Sequence, residues 1–455
     1  MKGFILIALT LCSGLGLAQE DGSKVTVAVI DSGVDFGHEL LKPVQFFNPN
    51  ETIDKKDDDT NGYVDDVSGW NLAKNDNQVF DPKDISSRKK KYDAAVTVMR
   101  LLARVEKGEK LSALEKAKMV ALLAFIYSDL NNIGTIMHGT HVAGIITQKN
   151  PSVEILGVKM GFGDGKKEAP KLYMPTKEEL EKFLAEMAKE EEAFFADLVR
   201  FLKTQRIRVA NASWGSSEAL IAQALTARYP KLPADAAAEI GRYYMQKIHD
   251  VYAAMPDQVK DTLFVIAAGN DGKDNDKTIF LPANVRRENT ITVAAVDSKG
   301  ALASFSNYGV ENVDLAAEGV AVESSVPDNR YLPMSGTSMA SPNVARVASM
   351  VVAENPALTP AEIRDILMKT VDKKDYLKRV VKSSGIVNEQ RAVAAAKASR
   401  NHELDAAVAQ AFEDVPATPG TGTIKAQSFK AMLGDFTSAE QELILAAYER
   451  LLRRY

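Results

Sequence analysis

Three short segments carry side chains that could perform chemistry together. In Gly336-Thr337-Ser338-Met339-Ala340-Ser341-Pro342, small residues bring a serine to the start of an apolar helical run, Met339 to Glu354. At a helix N-terminus, backbone N–H groups and the helix dipole favour negative charge developing on a bound carbonyl oxygen. A serine hydroxyl is a weak nucleophile at neutral pH, so a base must take its proton. The chain has five histidines, and His138, in Met137-His138-Gly139-Thr140-His141-Val142-Ala143-Gly144, is the one flanked by small residues and followed by an apolar helical stretch, His141 to Thr147. A base needs an orienting carboxylate, and Asp31 closes the strand-like run Val27-Ala28-Val29-Ile30-Asp31-Ser32-Gly33, where an unpaired charge would be costly. Singly, the three have ordinary readings as a turn aspartate, a packed core histidine and a helix-capping serine. Jointly, they describe nucleophilic acyl transfer.

A fourth segment could hold a cation. Asp57-Asp58-Asp59-Thr60-Asn61-Gly62-Tyr63-Val64-Asp65-Asp66 concentrates carboxylates around a glycine turn, and Asp57, Asp59, Asn61 and Asp65 have the alternate spacing of a calcium loop. The bidentate glutamate that usually ends such a loop is absent, and acidic turns also occur without metal.

The elements that must position these residues alternate along the chain. Val25 to Ile30, Val153 to Lys159, Ile207 to Ala212, Leu263 to Ala268, Thr290 to Val296 and Val313 to Ala316 read as buried, mostly parallel strands. Helical patterns lie between them, which predicts an α/β layered domain with ligands at the carboxyl ends of strands. Asp31, Ser213 and Asn270 fall at such ends. Three long Ala/Leu/Glu/Lys-rich segments, 88–131, 176–206 and 217–260, read as amphipathic helical insertions; Val98, Leu101, Leu102 and Val105 recur at helical spacing in the first. Beyond residue 400 the chain reads as a helical extension, with Pro416 to Gly422 as a flexible linker and a capping box at Thr437-Ser438-Ala439-Glu440 opening a final helix.

The three motifs, in the order Asp, His, Ser and each in its own small-residue frame, resemble those of the subtilisin-like serine peptidases, and the resemblance extends over most of Lys24 to Arg400. It implies a three-layer α/β domain over residues 19–400, with a mostly parallel central sheet flanked by helices, and Asp31, His138 and Ser338 as a catalytic triad. Ala267-Ala268-Gly269-Asn270 is similar to the family segment whose asparagine donates into the oxyanion hole. Ala212-Ser213-Trp214-Gly215 is similar to the strand that pairs with an extended substrate. The resemblance thus assigns Asn270 to catalysis and Ser213, Trp214, Gly215, Ala268 and Gly269 to substrate binding. His38 and His141 resemble supporting histidines, while His249 and His402 are expected to face solvent. The implied function is a serine endopeptidase working through an acyl-enzyme, with no cofactor required for catalysis and a polypeptide as substrate. A catalytically silent binding scaffold on the same fold is the alternative. Acyl hydrolases of the α/β-hydrolase type instead carry Gly-x-Ser-x-Gly and the order Ser, Asp, His, which this chain lacks.

Two departures from the family accompany the resemblance. Subtilases typically carry an N-terminal pro-domain, whereas only residues 19–24 separate the expected signal cut from the first strand. Residues 31 and 138 also lie far apart for the family, mostly because of the 88–131 insertion, which is expected to pack near the cleft as a lid or selectivity element.

With 455 residues, 45% hydrophobic and 26% charged, the chain can bury one large core and carry attachments. A net charge of -5 without a long basic tract points away from nucleic acid and anionic membranes as partners. Lys2, the apolar run Phe4 to Leu11 and the small-residue site Gly16-Leu17-Ala18 read as a signal peptide cut after Ala18. Leu11 before Cys12 is too bulky for a lipoprotein signal, and no later run has transmembrane length, so an exported, extracellular or periplasmic protein without a stable membrane anchor is expected. Cys12, the one cysteine, would leave with the signal, so the mature chain must be stable without disulfides. A monomer is expected.

Overall fold

The computed structural model describes residues 24–161, 170–417 and 428–453. The expected signal peptide and the linker residues from Thr418 to Gly422 lie outside them. The described chain is built on a nine-stranded sheet. From one edge the order is Asp372–Lys373, Gly385–Ile386, Leu315–Glu318, Thr290–Val296, Leu263–Ala267, Val209–Ala212, Val25–Asp31, Val153–Lys159 and Gly69–Asn71. All neighbours pair in parallel except the first two strands.

Period-two alternation sends successive side chains to opposite faces, and both faces are covered. Val27, Val29, Val209, Val265 and Val293 point into one core, shared with the helices Leu130–Thr147 and Thr337–Glu354. Ala28, Ile30, Ala210, Phe264 and Ile266 point into the other, shared with Lys177–Thr204, Glu218–Arg228, Ala234–Lys247 and His249–Gln258. The domain is therefore a three-layer α/β sandwich. The register places Asp31 opposite Lys159 and Ala212 opposite Ile266, so Asp31, Ser213 and Asn270 emerge at the same edge of neighbouring strands.

The amphipathic segments fold into helices. The 88–131 stretch supplies Lys89–Glu106 and Ala113–Ile126, then runs into Leu130–Thr147. The histidine helix thus begins at Leu130 rather than His141, and His138 sits inside it rather than ahead of it. Apolar residues on both sides of His138, Ile133 and Met137 before and Val142 and Ile145 after, carry the helix through this position. The final helix, Ser438–Arg453, has its capping box: Thr437 N–H donates to Glu440 Oε2 at 2.8 Å, and Glu440 N–H to Thr437 Oγ1 at 3.4 Å. The helix Leu404–Asp414 lies before the Pro/Gly stretch and buries Ala407, Val408 and Ala411 against the main body, and the helices after residue 427 also pack on it, burying Phe429, Leu433, Ile444 and Ala447 in the same core.

Two polar clusters lock the body. The fully buried carboxylate of Asp314 receives a bidentate pair from Arg286 at 2.6 Å, one bond from Arg364 at 2.7 Å and the Thr292 N–H at 2.8 Å. Arg391, also fully buried, donates to the carbonyls of Thr370, Val371, Val415 and Pro416 and to Asp372. Among the described residues no single helix is long and apolar enough to cross a membrane. The pair 113–126 and 130–147 reaches that composition only jointly, across a 99° bend.

Candidate active site

Asp31 ends its strand with the side chain fully buried, and its Oδ1 lies 2.7 Å from His138 Nδ1. The same oxygen accepts the Ser32 N–H at 2.7 Å. A carboxylate oxygen facing a ring nitrogen and an amide can only accept from both, so Nδ1 carries a proton and Nε2 is the ring nitrogen that faces away from Asp31. The contact demands a glycine after His138: a Cβ on Gly139 would sit 2.3 Å from the Gly33 carbonyl oxygen and 3.1 Å from Asp31 Oδ1. Gly139 N–H instead donates to Ser32 Oγ at 3.0 Å, tying the histidine helix to the aspartate strand.

A hairpin, Val322–Val326 with Arg330–Met334, holds the histidine helix from the other side. Ser324 and Ser325 hydroxyls donate to the carbonyls of His141 and Thr140 at 2.7 and 3.0 Å. His141 Nε2 donates to Leu332 O at 2.8 Å, and burial drives its pKa down to about 3. His38 is buried too, receiving the Leu40 N–H at Nδ1 and donating from Nε2 to Arg330 O at 3.1 Å. His249 is partly exposed and His402 is exposed.

Ser338 is the second residue of the helix Thr337–Glu354. Gly336 ahead of it has φ +154°, a conformation side-chain-bearing residues rarely adopt, and this sharp entry aligns the first turn. Ser338 Oγ donates to the Ser213 carbonyl at 3.2 Å. Ser213 answers with its own hydroxyl, bonded to Ser338 O at 3.0 Å and Ser341 Oγ at 2.8 Å, and it accepts from Asn211 Nδ2 at 2.8 Å. The Ser213 side chain therefore anchors the serine helix rather than facing a ligand.

Asn270 stands one strand further along. Its Oδ1 accepts the N–H and the hydroxyl of Thr337 at 2.8 and 2.9 Å. The backbone N–H can only donate, which assigns the amide and turns Nδ2 the other way. That Nδ2 donates to the carbonyl oxygen of Leu452, in the C-terminal helix, at 2.7 Å. Ala268 and Gly269 have their backbone N–H groups engaged internally, by Val293 and Thr337 respectively, while their carbonyls accept from Asn275 and Asn307 and each keeps a second lone pair. Trp214 and Gly215 border a cavity of about 460 Å³ lined also by Met160, Met187, Phe194 and Tyr252. Glu191 in its wall is pushed up by burial and accepts the Tyr244 and Tyr252 hydroxyls at 3.2 and 3.3 Å.

The acidic loop converges differently from its spacing. Glu51, Asp59 and Asp66 bring carboxylate oxygens within 4.8 Å of one another. Of the four sequence candidates, Asp59 belongs to this cluster. Asp57 instead accepts the N–H groups of Asn61 and Gly62, Asp65 accepts those of Asp54 and Lys55, and Asn61 donates from Nδ2 to Asp59 and Asp66. Burial raises the Asp66 carboxyl, which Asn48, Asn61 and Gln205 side-chain amides contact. Glu51 and Asp66 escaped the alternate-position pattern because Glu51 lies upstream of the segment and Asp66, its last residue, is out of step with Asp57, Asp59, Asn61 and Asp65.

The 88–131 insertion also reaches this region through Glu106, which sequence periodicity does not distinguish from its neighbours. Glu106 accepts from the hydroxyls of Ser335, at 2.7 Å, and Tyr448. Burial raises its pKa, while these two bonds pull it back.

The peptidase S8 family model, described as the subtilase family, matches residues 128–397, a stretch that holds His138, Asn270 and Ser338 while Asp31 lies ahead of it. Alkaline elastase YaB of Bacillus sp. (strain YaB) is 31% identical over 255 residues, covering 56% of this chain and 54% of that protein. The Thermophilic serine proteinase of Bacillus sp. (strain AK1) is 46% identical over 114 residues, 25% of this chain and 26% of that protein. The chain thus spans about half the length, or less, of these curated relatives. A solved cold adapted subtilisin-like serine proteinase is 22% identical with a TM-score of 0.42, covering 81% of this chain and 88% of that one. With the family model matching more than half of its length, the chain belongs to the subtilase family.

Proposed function

We propose that the protein is an exported serine endopeptidase in which Asp31, His138 and Ser338 act as a triad. The observation that carries this reading is the buried 2.7 Å bond from His138 Nδ1 to Asp31, which leaves the opposite ring nitrogen as a proton acceptor. Family membership supports the same chemistry. In the first step the Ser338 hydroxyl turns from the Ser213 carbonyl, gives its proton to His138 Nε2 and attacks the scissile carbonyl carbon. The developing oxyanion is met by Asn270 Nδ2 and by the Ser338 N–H at the start of the serine helix, since the Thr337, Met339 and Ala340 N–H groups are already bonded to Asn270 and Gly336. His138 then protonates the leaving amine, and the acyl group stays on Ser338. Water, deprotonated by His138, attacks the ester carbonyl and releases the acid.

The Ser213-Trp214-Gly215 segment offers an extended edge for substrate pairing, and the adjoining cavity, whose apolar walls are interrupted by Glu190 and Glu191, suits a bulky side chain. Catalysis requires no cofactor in this mechanism. Calcium enters the proposal as a stabilising ion held by Glu51, Asp59 and Asp66. Melting temperature should then rise with calcium and fall with chelator, and no difference would remove the ion. The enzyme is proposed to act as a monomer on polypeptides, without nucleic-acid or membrane partners. The testing experiment compares casein hydrolysis by the wild type and Ser338→Ala, each freed of the C-terminal residues 428–455: equal rates would overturn the assignment.

A further inference from the structure

The C-terminal helix Ser438–Arg453 lies where a substrate carbonyl should lie. The Leu452 carbonyl oxygen is 2.7 Å from Asn270 Nδ2, within the 2.7–3.1 Å range that defines an oxyanion donor contact. The Leu452 side chain is buried, next to Met334 and Ser335 on the approach to the serine helix.

The helix is seated by a specific set of contacts. Tyr448 donates its hydroxyl to the buried carboxylate of Glu106, which also receives Ser335 Oγ, and its ring stacks on Phe429 at 3.9 Å between centroids. Arg450 donates to the Tyr127 carbonyl at 3.0 Å. Lys116 donates to the Asp435 carbonyl at 3.1 Å and lies 5.2 Å from the Phe436 ring. Ile444 and Ala447 are fully buried in the shared core. Most of these partners, Glu106, Lys116 and Tyr127, belong to the 88–131 insertion. The insertion and the C-terminal segment therefore form one device, the first as the dock and the second as the plug.

We propose that the C-terminal helix is an intramolecular inhibitor that occupies the oxyanion hole through the Leu452 carbonyl, and that the peptidase becomes active when this helix leaves. The proposal rests on the peptidase reading of the same site. A helical segment suits inhibition: an attacked bond must lie extended along the substrate edge, whereas Leu452 lies in helical backbone, so its carbonyl fills the hole without presenting a bond for cleavage. Covalent linkage holds the plug at an effective concentration of about mM, so even a weak contact keeps the site closed.

The test inserts a recognition sequence for a site-specific protease between residues 418 and 427 of the full chain and measures labelling of Ser338 by a fluorophosphonate before and after the cut. Tyr448→Ala in the same chain loosens the dock, and gel filtration removes the released helix; a melting curve checks that the body stays folded. Labelling should rise by at least about tenfold on release and fall again when a peptide of residues 428–455 is added back. Equal labelling of intact and released protein would overturn the inhibitor while leaving the peptidase reading standing. Absence of labelling in every form of the folded protein would overturn the peptidase reading and the inhibitor with it.

Discussion

Thr337, the residue before the candidate nucleophile, holds Asn270 by two bonds to one oxygen, from its N–H at 2.8 Å and from its hydroxyl at 2.9 Å. The proposed oxyanion donor is therefore aimed by the serine helix itself. In protein freed of the C-terminal helix, Asn270→Ala should lower kcat by about 10²–10³ with little change in KM, because the donor acts mainly on the transition state. Thr337→Val keeps the N–H bond and removes the hydroxyl, so its loss in kcat should be smaller but in the same parameter. A rise in KM with unchanged kcat in either variant would show that Asn270 binds substrate without stabilising the oxyanion.

Asp31→Asn keeps the size of the side chain yet turns one acceptor oxygen into a donor. His138 would then favour the wrong tautomer, and turnover should fall by about 10⁴ while the melting temperature stays near wild type. Steady-state kinetics beside a thermal melt decide this, and near-normal turnover would refute the triad.

Gly139→Ala places a methyl group 2.3 Å from the Gly33 carbonyl oxygen, in contact with backbone that cannot swing away. The histidine helix must shift from the aspartate strand, so activity and stability should drop together. The expected destabilisation is about 1–3 kcal/mol, read by denaturant unfolding. A variant with wild-type stability and turnover would show that this approach is looser than the geometry implies.

His141 is fully buried and held neutral, with its pKa lowered to about 3 from 6.5. A group depressed on folding contributes stability above its unfolded pKa and loses it as pH falls, because the unfolded chain takes up the proton first. Stability should therefore decline as pH drops from about 6.5 toward 3, and His141→Gln should flatten that slope over this window. Urea unfolding at a series of pH values measures it; an unchanged slope in the variant would assign the acid sensitivity to other groups.

Asp314 lies fully buried between Arg286 and Arg364. Asp314→Ala strands two guanidinium groups, of which Arg286 is raised by its hydrogen bond and charge pairing against a desolvation that acts the other way. Removing one partner of such a cluster costs about 3–5 kcal/mol, measurable as a fall in the unfolding midpoint. A loss under about 1 kcal/mol would mean that solvent reaches the cluster.

The parallel strands were legible because burial on both faces produces continuous β-branched runs such as Val25 to Ile30 and Thr290 to Val296. The candidate triad was legible for a related reason: close approach of main chains requires small neighbours, and Gly139 and Gly33 mark where that happens, while Gly336 supplies the backbone angle that enters the serine helix. The hairpin 322–334 was not legible, since its strands are short and mixed in polarity, and serine hydroxyls as well as Val326 and Leu332 hold it against the core of the histidine helix. Nor was the role of Ser213, whose hydroxyl anchors the serine helix through contacts 125 and 128 residues away. The Asp66–Glu51–Asp59 convergence and the Leu452–Asn270 contact depend on tertiary folding, which no local spacing encodes.

The central claim is that Ser338 is a nucleophile activated by His138 and Asp31. Its most direct test is covalent labelling by a fluorophosphonate of the folded protein with the C-terminal helix released, followed by mapping of the modified residue and a casein assay on the same sample. The account predicts modification at Ser338, casein cleavage, and loss of both in Ser338→Ala. A folded, released protein that neither labels at Ser338 nor cleaves casein would contradict it.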